Sequence, residues 1–159
     1  MADLSLHEEC PSLKIEPGFH QAFEVFCKEL DIHVDTMVEI TLCDDAMISK
    51  IHLEALDIQG PTDCIAFPLD FPEVSGAPPF LGAFYMGVLE VERNAKDLGH
   101  SFSDEAAFVL AHGILHLLGY EDYTPEEKAS MFQKQEELVQ LLEEKHPSWR
   151  PMFSWQGKT

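Results

Sequence analysis

His112 and His116 stand four residues apart, in the run His112-Gly113-Ile114-Leu115-His116. On a helix that spacing puts both imidazoles on one face, one turn above the other. Two such rings can share one metal ion at about 2.0–2.1 Å. The surrounding residues (Phe108, Val109, Leu110, Ile114, Leu115, Leu117 and Leu118) are apolar, and an unpartnered imidazole in such company is costly. Gly119 follows, placed to end the helix, and Asp122 lies three residues further on, where the turn can swing a carboxylate back. The pattern H-x3-H-x2-G-x2-D has the spacing of the elongated zinc motif in which a glycine turn returns a third ligand. Asp122 occupies the place of the usual third histidine, and aspartate is an acceptable zinc ligand. Position 113 is glycine, where zinc peptidases carry their glutamate base. The residues therefore predict a metal-dependent hydrolase, with zinc held by His112, His116 and Asp122, that is not a peptidase.

The elements that must position this trio can be read on either side. Phe19, Phe23, Phe26 and Leu30 recur on one helical face after Pro17-Gly18. Val38 to Cys43 alternates as a strand, and Asp44 or Asp45 offers an N-cap to a helix with Met47, Ile48, Ile51 and Ala55 inward. Gly60-Pro61-Thr62-Asp63 is turn chemistry before a short strand, Cys64 to Phe67; Pro68, Pro72, Pro78 and Pro79 mark a loop. Leu81 to Val91 reads as a long buried strand, and Glu92 to Leu98 as a short helix closed by Gly99. Ser103 is the expected N-cap of the histidine helix, with Asp104 and Glu105 favoured by the dipole in its first turn. Thr124-Pro125-Glu126-Glu127 forms a capping box that starts a terminal helix, and the tail after His146 is expected to be irregular. The sum is an α+β protein: one domain over residues 1–159, with its core at about 13–145 and a small mixed sheet covered by helices.

Bulk properties exclude several classes. The chain has 159 residues, long enough for one good core. No apolar run reaches the roughly 18–20 residues a bilayer helix needs, so no membrane partner is expected. Met1 to Cys10 carries Asp3, Glu8 and Glu9 and lacks the apolar core of a secretory signal. Cys10, Cys27, Cys43 and Cys64 form no CxxC pair, so they read as reduced thiols of a cytoplasmic protein. A net charge of −19 argues against broad phosphate gripping, though it leaves room for a small local groove.

His112-Gly113-Ile114-Leu115-His116-Leu117-Leu118-Gly119-Tyr120 closely resembles the HGxLHLLGYDH signature of the YbeY family of bacterial rRNA-maturation endoribonucleases. Gly60 to Pro68, GPTDCIAFP, resembles that family's PTDVLSFP segment; Leu81-Gly82 is similar to its LGD strand, and AKDLGHS at Ala95 to Ser101 to its approach to the metal helix. The resemblance implies a zincin-like fold with a buried metal-binding helix and one zinc ion per chain. It also implies cleavage of single-stranded RNA in rRNA maturation and ribosome quality control, with ribosomal RNA and small-subunit components as partners. An adjacent edge strand, Thr62 to Phe67, can line the substrate groove of such a fold.

The departures from that family are specific. Its third ligand is histidine and here Asp122 aligns; the aspartate of LGD is Ala83; an arginine before its PTD segment aligns with Leu56. A guanidinium grips phosphate through two hydrogen bonds and leucine cannot. Three readings follow: an endoribonuclease, a non-catalytic or weakly catalytic ribosome-assembly factor that keeps a structural metal, and a metal-dependent hydrolase of another substrate. The sequence assigns no catalytic acid or base and no substrate-binding residue. Arg93 and Lys96 are the nearest basic pair before the metal helix, and His100 lies in the family-like stretch. Glu121, Trp149 and Trp155 read as turn or packing residues.

Overall fold

Among the described residues, four strands and four helices build the frame around the histidine helix, and two further short strands close it. The structure, a computed structural model, describes residues 3–68 and 80–156. In chain order the elements are β1 (Asp3–Glu9), β2 (Leu13–Ile15), α1 (Pro17–Glu29), β3 (Met37–Cys43), α2 (Asp45–Leu56), β4 (Cys64–Pro68), β5 (Phe80–Gly87), α3 (Val88–Leu98), α4 (Phe102–Leu117), α5 (Pro125–Lys145) and β6 (Phe153–Trp155). The main sheet has the order β1-β3-β5-β4, with β1, β3 and β5 parallel and β4 antiparallel at one edge. The α+β reading with a small mixed sheet is therefore correct.

The core lies where α1 and α4 meet the sheet. Phe19, Phe23 and Phe26 of α1 are fully buried as their spacing predicts, beside Ile40, Leu42, Phe84 and Met86 from the strands. α4 packs against α1, α3, α5, β4 and β5, which explains its nearly continuous apolar sequence. Gly113 is what lets it approach the sheet. A Cβ there would sit 2.9 Å from the ring of Phe84, a side chain with no exposure at all. Glycine at the peptidase glutamate position thus also relieves packing: any added side chain would have to displace the Phe84 ring.

Several expectations need correction. The strand predicted over Leu81 to Val91 stops at Gly87, and Val88 begins α3, which runs to Leu98. Val88 and Val91 are buried one helical turn apart, so tertiary burial overrides their β preference. A Cβ at Gly87 would meet the Thr62 carbonyl at 2.0 Å, so this crossing of backbones accepts only glycine. The N-cap of α4 is Ser101 and not Ser103: the Ser101 hydroxyl accepts from the Asp104 N–H at 3.1 Å. Ser103 is buried, its hydroxyl accepting from the Met152 N–H at 2.9 Å. α2 is capped by Asp44 as expected, but only Ile48 is buried on it and Ala55 is exposed.

The tail is the largest departure. β6 pairs antiparallel with β2, and Trp149, Met152 and Phe153 are buried. Each such side chain contributes about 1.5–3 kcal/mol of apolar burial, which offsets part of the cost of ordering the segment. β1 alternates Leu4 and Leu6 with Asp3, Ser5 and His7, a strand pattern too short to stand out before Glu8 and Glu9. Pro72, Pro78 and Pro79 of the predicted loop lie outside the described residues, and Pro68 ends β4. No described helix is long and apolar enough to cross a membrane.

Candidate metal centre

The C-terminal half of α4 presents His112 and His116 to the same side. Leu118 caps the helix, Gly119 turns the chain at φ 98°, and its N–H donates to the His116 carbonyl at 3.0 Å. Only glycine adopts that conformation without strain. The turn carries Asp122 back, and the capping box at Thr124 then starts α5, with both of its reciprocal bonds formed at 2.9 and 3.1 Å. The structure thus brings together the three residues predicted from spacing, with their donor atoms all within 4.8 Å of one another.

Hydrogen bonds settle which atoms face inward. His116 Nδ1 lies 2.9 Å from the Tyr120 carbonyl, which can only accept, so Nδ1 carries the proton. His112 Nδ1 lies 3.3 Å from Gln135 Oε1, while the Gln135 amide nitrogen donates to the Phe108 carbonyl at 3.1 Å. Both Nε2 atoms are then left with bare lone pairs, and they stand 2.9 Å apart. Two lone pairs at that distance repel unless a cation or a proton stands between them. Asp122 Oδ2 completes the triangle, 3.8 Å from His112 Nε2 and 3.7 Å from His116 Nε2.

That triangle fits a small divalent ion. Edges of 2.9, 3.7 and 3.8 Å leave one point about 2.0 Å from all three corners, the usual length of zinc–nitrogen and zinc–oxygen bonds. Burial, reinforced by repulsion from His112, lowers the His116 pKa below the usual histidine value against the pull of Asp122. A neutral ring is the form that ligates. The side chains of His112, His116 and Asp122 remain 29%, 25% and 36% exposed, so the site is open on one side. Three protein donors and an open side are the hallmark of a catalytic rather than a closed structural site.

The other singled-out residues fall elsewhere. Edge strand β4 packs beside α4, as a groove-lining strand must. Asp63, just before it, is largely desolvated; burial raises its carboxyl pKa above the usual range, opposed by His112 and by N–H bonds from its own backbone and Cys64. Leu56 ends α2 and is 53% exposed. Ala83 lies mid-β5, opposite Glu39 of β3 and Phe67 of β4. Arg93 is committed to Asp45 at 2.8 and 3.0 Å and to Glu90, while Lys96 and Glu121 are exposed. His100 pairs with buried Glu105 at 2.8 Å, near the opposite end of α4 and roughly 10 Å along its axis from His112. Trp149 is buried and Trp155 stacks on Phe102, so both pack against the fold. All four cysteines are free; burial pushes the Cys10 thiol up to about 11 and those of Cys27 and Cys43 up to about 12, so they stay protonated at neutral pH.

Gln135 is the site residue that sequence reasoning missed. On α5 it belongs to the buried stripe Met131, Gln135, Leu138 and Leu142, and a lone amide on such a stripe was the available signal.

Comparisons with known proteins identify the family. The model of the family described as Endoribonuclease YbeY matches residues 4–143. An Endoribonuclease YbeY of Shouchella clausii (strain KSM-K16) is 38% identical over 122 residues, covering 71% of this chain and 76% of the relative. One from Mycolicibacterium smegmatis is 33% identical over 132 residues, or 79% of this chain and 74% of the relative. A solution structure of a Thermotoga maritima protein matches over 100% of both chains, with a TM-score of 0.63 at 26% identity.

Proposed function

Since the chain belongs to the Endoribonuclease YbeY family, we propose that it is a metal-dependent endoribonuclease that cleaves single-stranded RNA in rRNA maturation and ribosome quality control. Its partners on this reading are ribosomal RNA and small-subunit components, its place is the cytoplasm, and its cofactor is one zinc ion. The observation that carries the metal part is the pair of Nε2 atoms 2.9 Å apart with the Asp122 carboxylate beside them. The names of its relatives carry the RNA part.

His112, His116 and Asp122 would hold the ion. Bound there, it supplies Lewis acidity toward a phosphoryl oxygen and activates water as a nucleophile near neutral pH. The chain itself does the rest. The Tyr120 carbonyl and Gln135 hold the two imidazoles in the ligating tautomer. β4 offers an edge along which an extended strand of RNA can lie, with Phe67 37% exposed on it. Gly113 removes any base from the interior of the histidine pair, so proton transfer falls to a residue outside α4's own motif.

The test is cleavage of a single-stranded RNA oligonucleotide beside its duplex. Cutting of the single strand, abolished by a chelator and restored by zinc, supports the proposal. No cutting under any metal condition defeats it.

A second reading is favoured by one observation: Leu56 occupies the position that resembles an arginine in the family. A chain without that phosphate grip could act as an assembly factor. Leu56→Arg separates the two, since cleavage that appears only in the variant makes the natural chain a binder.

A further inference from the structure

A glutamine with 4% exposure among Met131, Leu138 and Leu142 requires an explanation, because a buried amide is unfavourable unless each of its ends is bonded. Both ends are. The amide nitrogen donates to the Phe108 carbonyl at 3.1 Å, and Oε1 lies 3.3 Å from His112 Nδ1. The orientation of the amide is fixed by chemistry: a carbonyl cannot donate, so nitrogen must face Phe108 and oxygen must face His112. Oxygen in turn cannot donate, so the His112 proton must sit on Nδ1.

From this we infer that Gln135 is the positioning residue of the metal centre: it locks His112 in the tautomer whose Nε2 lone pair points at His116 and Asp122. The inference rests on the metal reading above. His116 receives the same service from the Tyr120 carbonyl at 2.9 Å, a backbone atom that no substitution removes. Gln135 is a side chain on a different helix, so α5 supplies an outer partner to a ligand carried by α4. The bond to Phe108 ties the two helices together, and the bond to His112 fixes the ring. Outer partners of metal-bound histidines of this kind change affinity by about 10- to 100-fold when removed.

The two bonds can be separated. Gln135→Met keeps the shape and removes both bonds. Gln135→Glu keeps an acceptor for His112 and loses the donor to Phe108. Three quantities are read on each purified chain: zinc affinity by competition with a chromophoric chelator, melting temperature without metal, and the His112 tautomer by nitrogen-detected NMR of the metal-free chain.

Gln135→Met is expected to weaken zinc binding about 10- to 100-fold and to let His112 populate the tautomer with its proton on Nε2. Gln135→Glu is expected to melt at a lower temperature than the natural chain while keeping its zinc affinity and the Nδ1–H tautomer. A residue that merely fills the helix interface predicts another outcome: lowered melting in both variants, with affinity and tautomer unchanged. That result overturns the assignment, as does zinc affinity that falls with stability in Gln135→Glu. Should Gln135→Met fail to fold, the His112 tautomer of the natural metal-free chain decides: a proton on Nδ1 is expected, and a proton on Nε2 overturns the assignment. A natural chain that takes up no zinc defeats the metal reading, and the tautomer measurement still judges Gln135 separately.

Discussion

The end of α4 and the end of α2 treat their polar positions in opposite ways. At the end of α4 each imidazole is tied into the fold: His112 to Gln135, His116 to the Tyr120 carbonyl, both facing Asp122. At the end of α2, Leu56 stands 53% exposed, and Asp57 behind it closes the helix in the left-handed conformation. The first region admits a change of donor, aspartate for histidine, because a carboxylate on the same turn still reaches the shared point. The second has no interior partner that would resist a change at all. Donor geometry is coupled to the core, whereas a phosphate contact is coupled only to its substrate.

Breaking the first region gives the largest effect. His116→Ala removes one of three donors, on the order of 3 kcal/mol of metal binding, and should reduce cleavage of single-stranded RNA by about two powers of ten or more. Initial rates at a zinc concentration just sufficient to saturate the natural chain measure it. Undiminished cleavage would place the chemistry elsewhere.

Gly113→Ala tests whether packing holds that region in place. The added methyl meets Phe84 at 2.9 Å, and overpacking a core contact of this kind costs about 1–3 kcal/mol. The gain in helix propensity, about 1 kcal/mol, offsets only part of it. A lowered melting temperature is expected; a raised one would show that Phe84 yields freely.

Leu56→Arg sharpens the second region. An exposed ion pair with phosphate is worth up to about 1 kcal/mol, so RNA should bind a few times more tightly at low salt. The slope of log affinity against log salt should steepen by about 0.7 for a single strand. An unchanged slope would mean that this position does not face the RNA.

The start of α4 supplies a control that has no part in the metal centre. Asp104 is partly desolvated, which raises its pKa, but hydrogen bonds from Ser101 and Arg150 win and hold it below 3.8. The unfolded chain therefore takes up the proton first. The contribution is complete above the ordinary aspartate value and disappears as pH falls through the lower folded-state one. Because the pair is about a third exposed, the effect should stay below about 1 kcal/mol. Asp104→Asn should narrow its stability deficit in urea unfolding as pH drops below 3.8, equally with and without zinc. A zinc-dependent difference would tie this end of α4 to the site.

How legible each part was follows from where its information resides. The histidine pair, the Gly119 turn and the Thr124 capping box are local patterns, and each appears where its spacing puts it. Val88 to Val91 misled because a buried helical turn and a buried strand share the same apolar residues. β1 and β6 are made by partners distant in sequence, Met37 to Cys43 and Leu13 to Ile15, so neither acidic nor proline-rich composition announces them. Gln135 sits 23 residues from His112 in a helix whose acids look merely solvated. Only its place on the stripe with Met131 and Leu138 distinguishes it.

The central claim, that His112, His116 and Asp122 hold one metal ion, is tested most directly by elemental analysis of the purified chain beside Asp122→Ala. The account predicts close to one zinc per chain after zinc is supplied and dialysed away, with most of it lost from the variant. A natural chain that retains no metal, or a variant that retains as much as the natural chain, would contradict it.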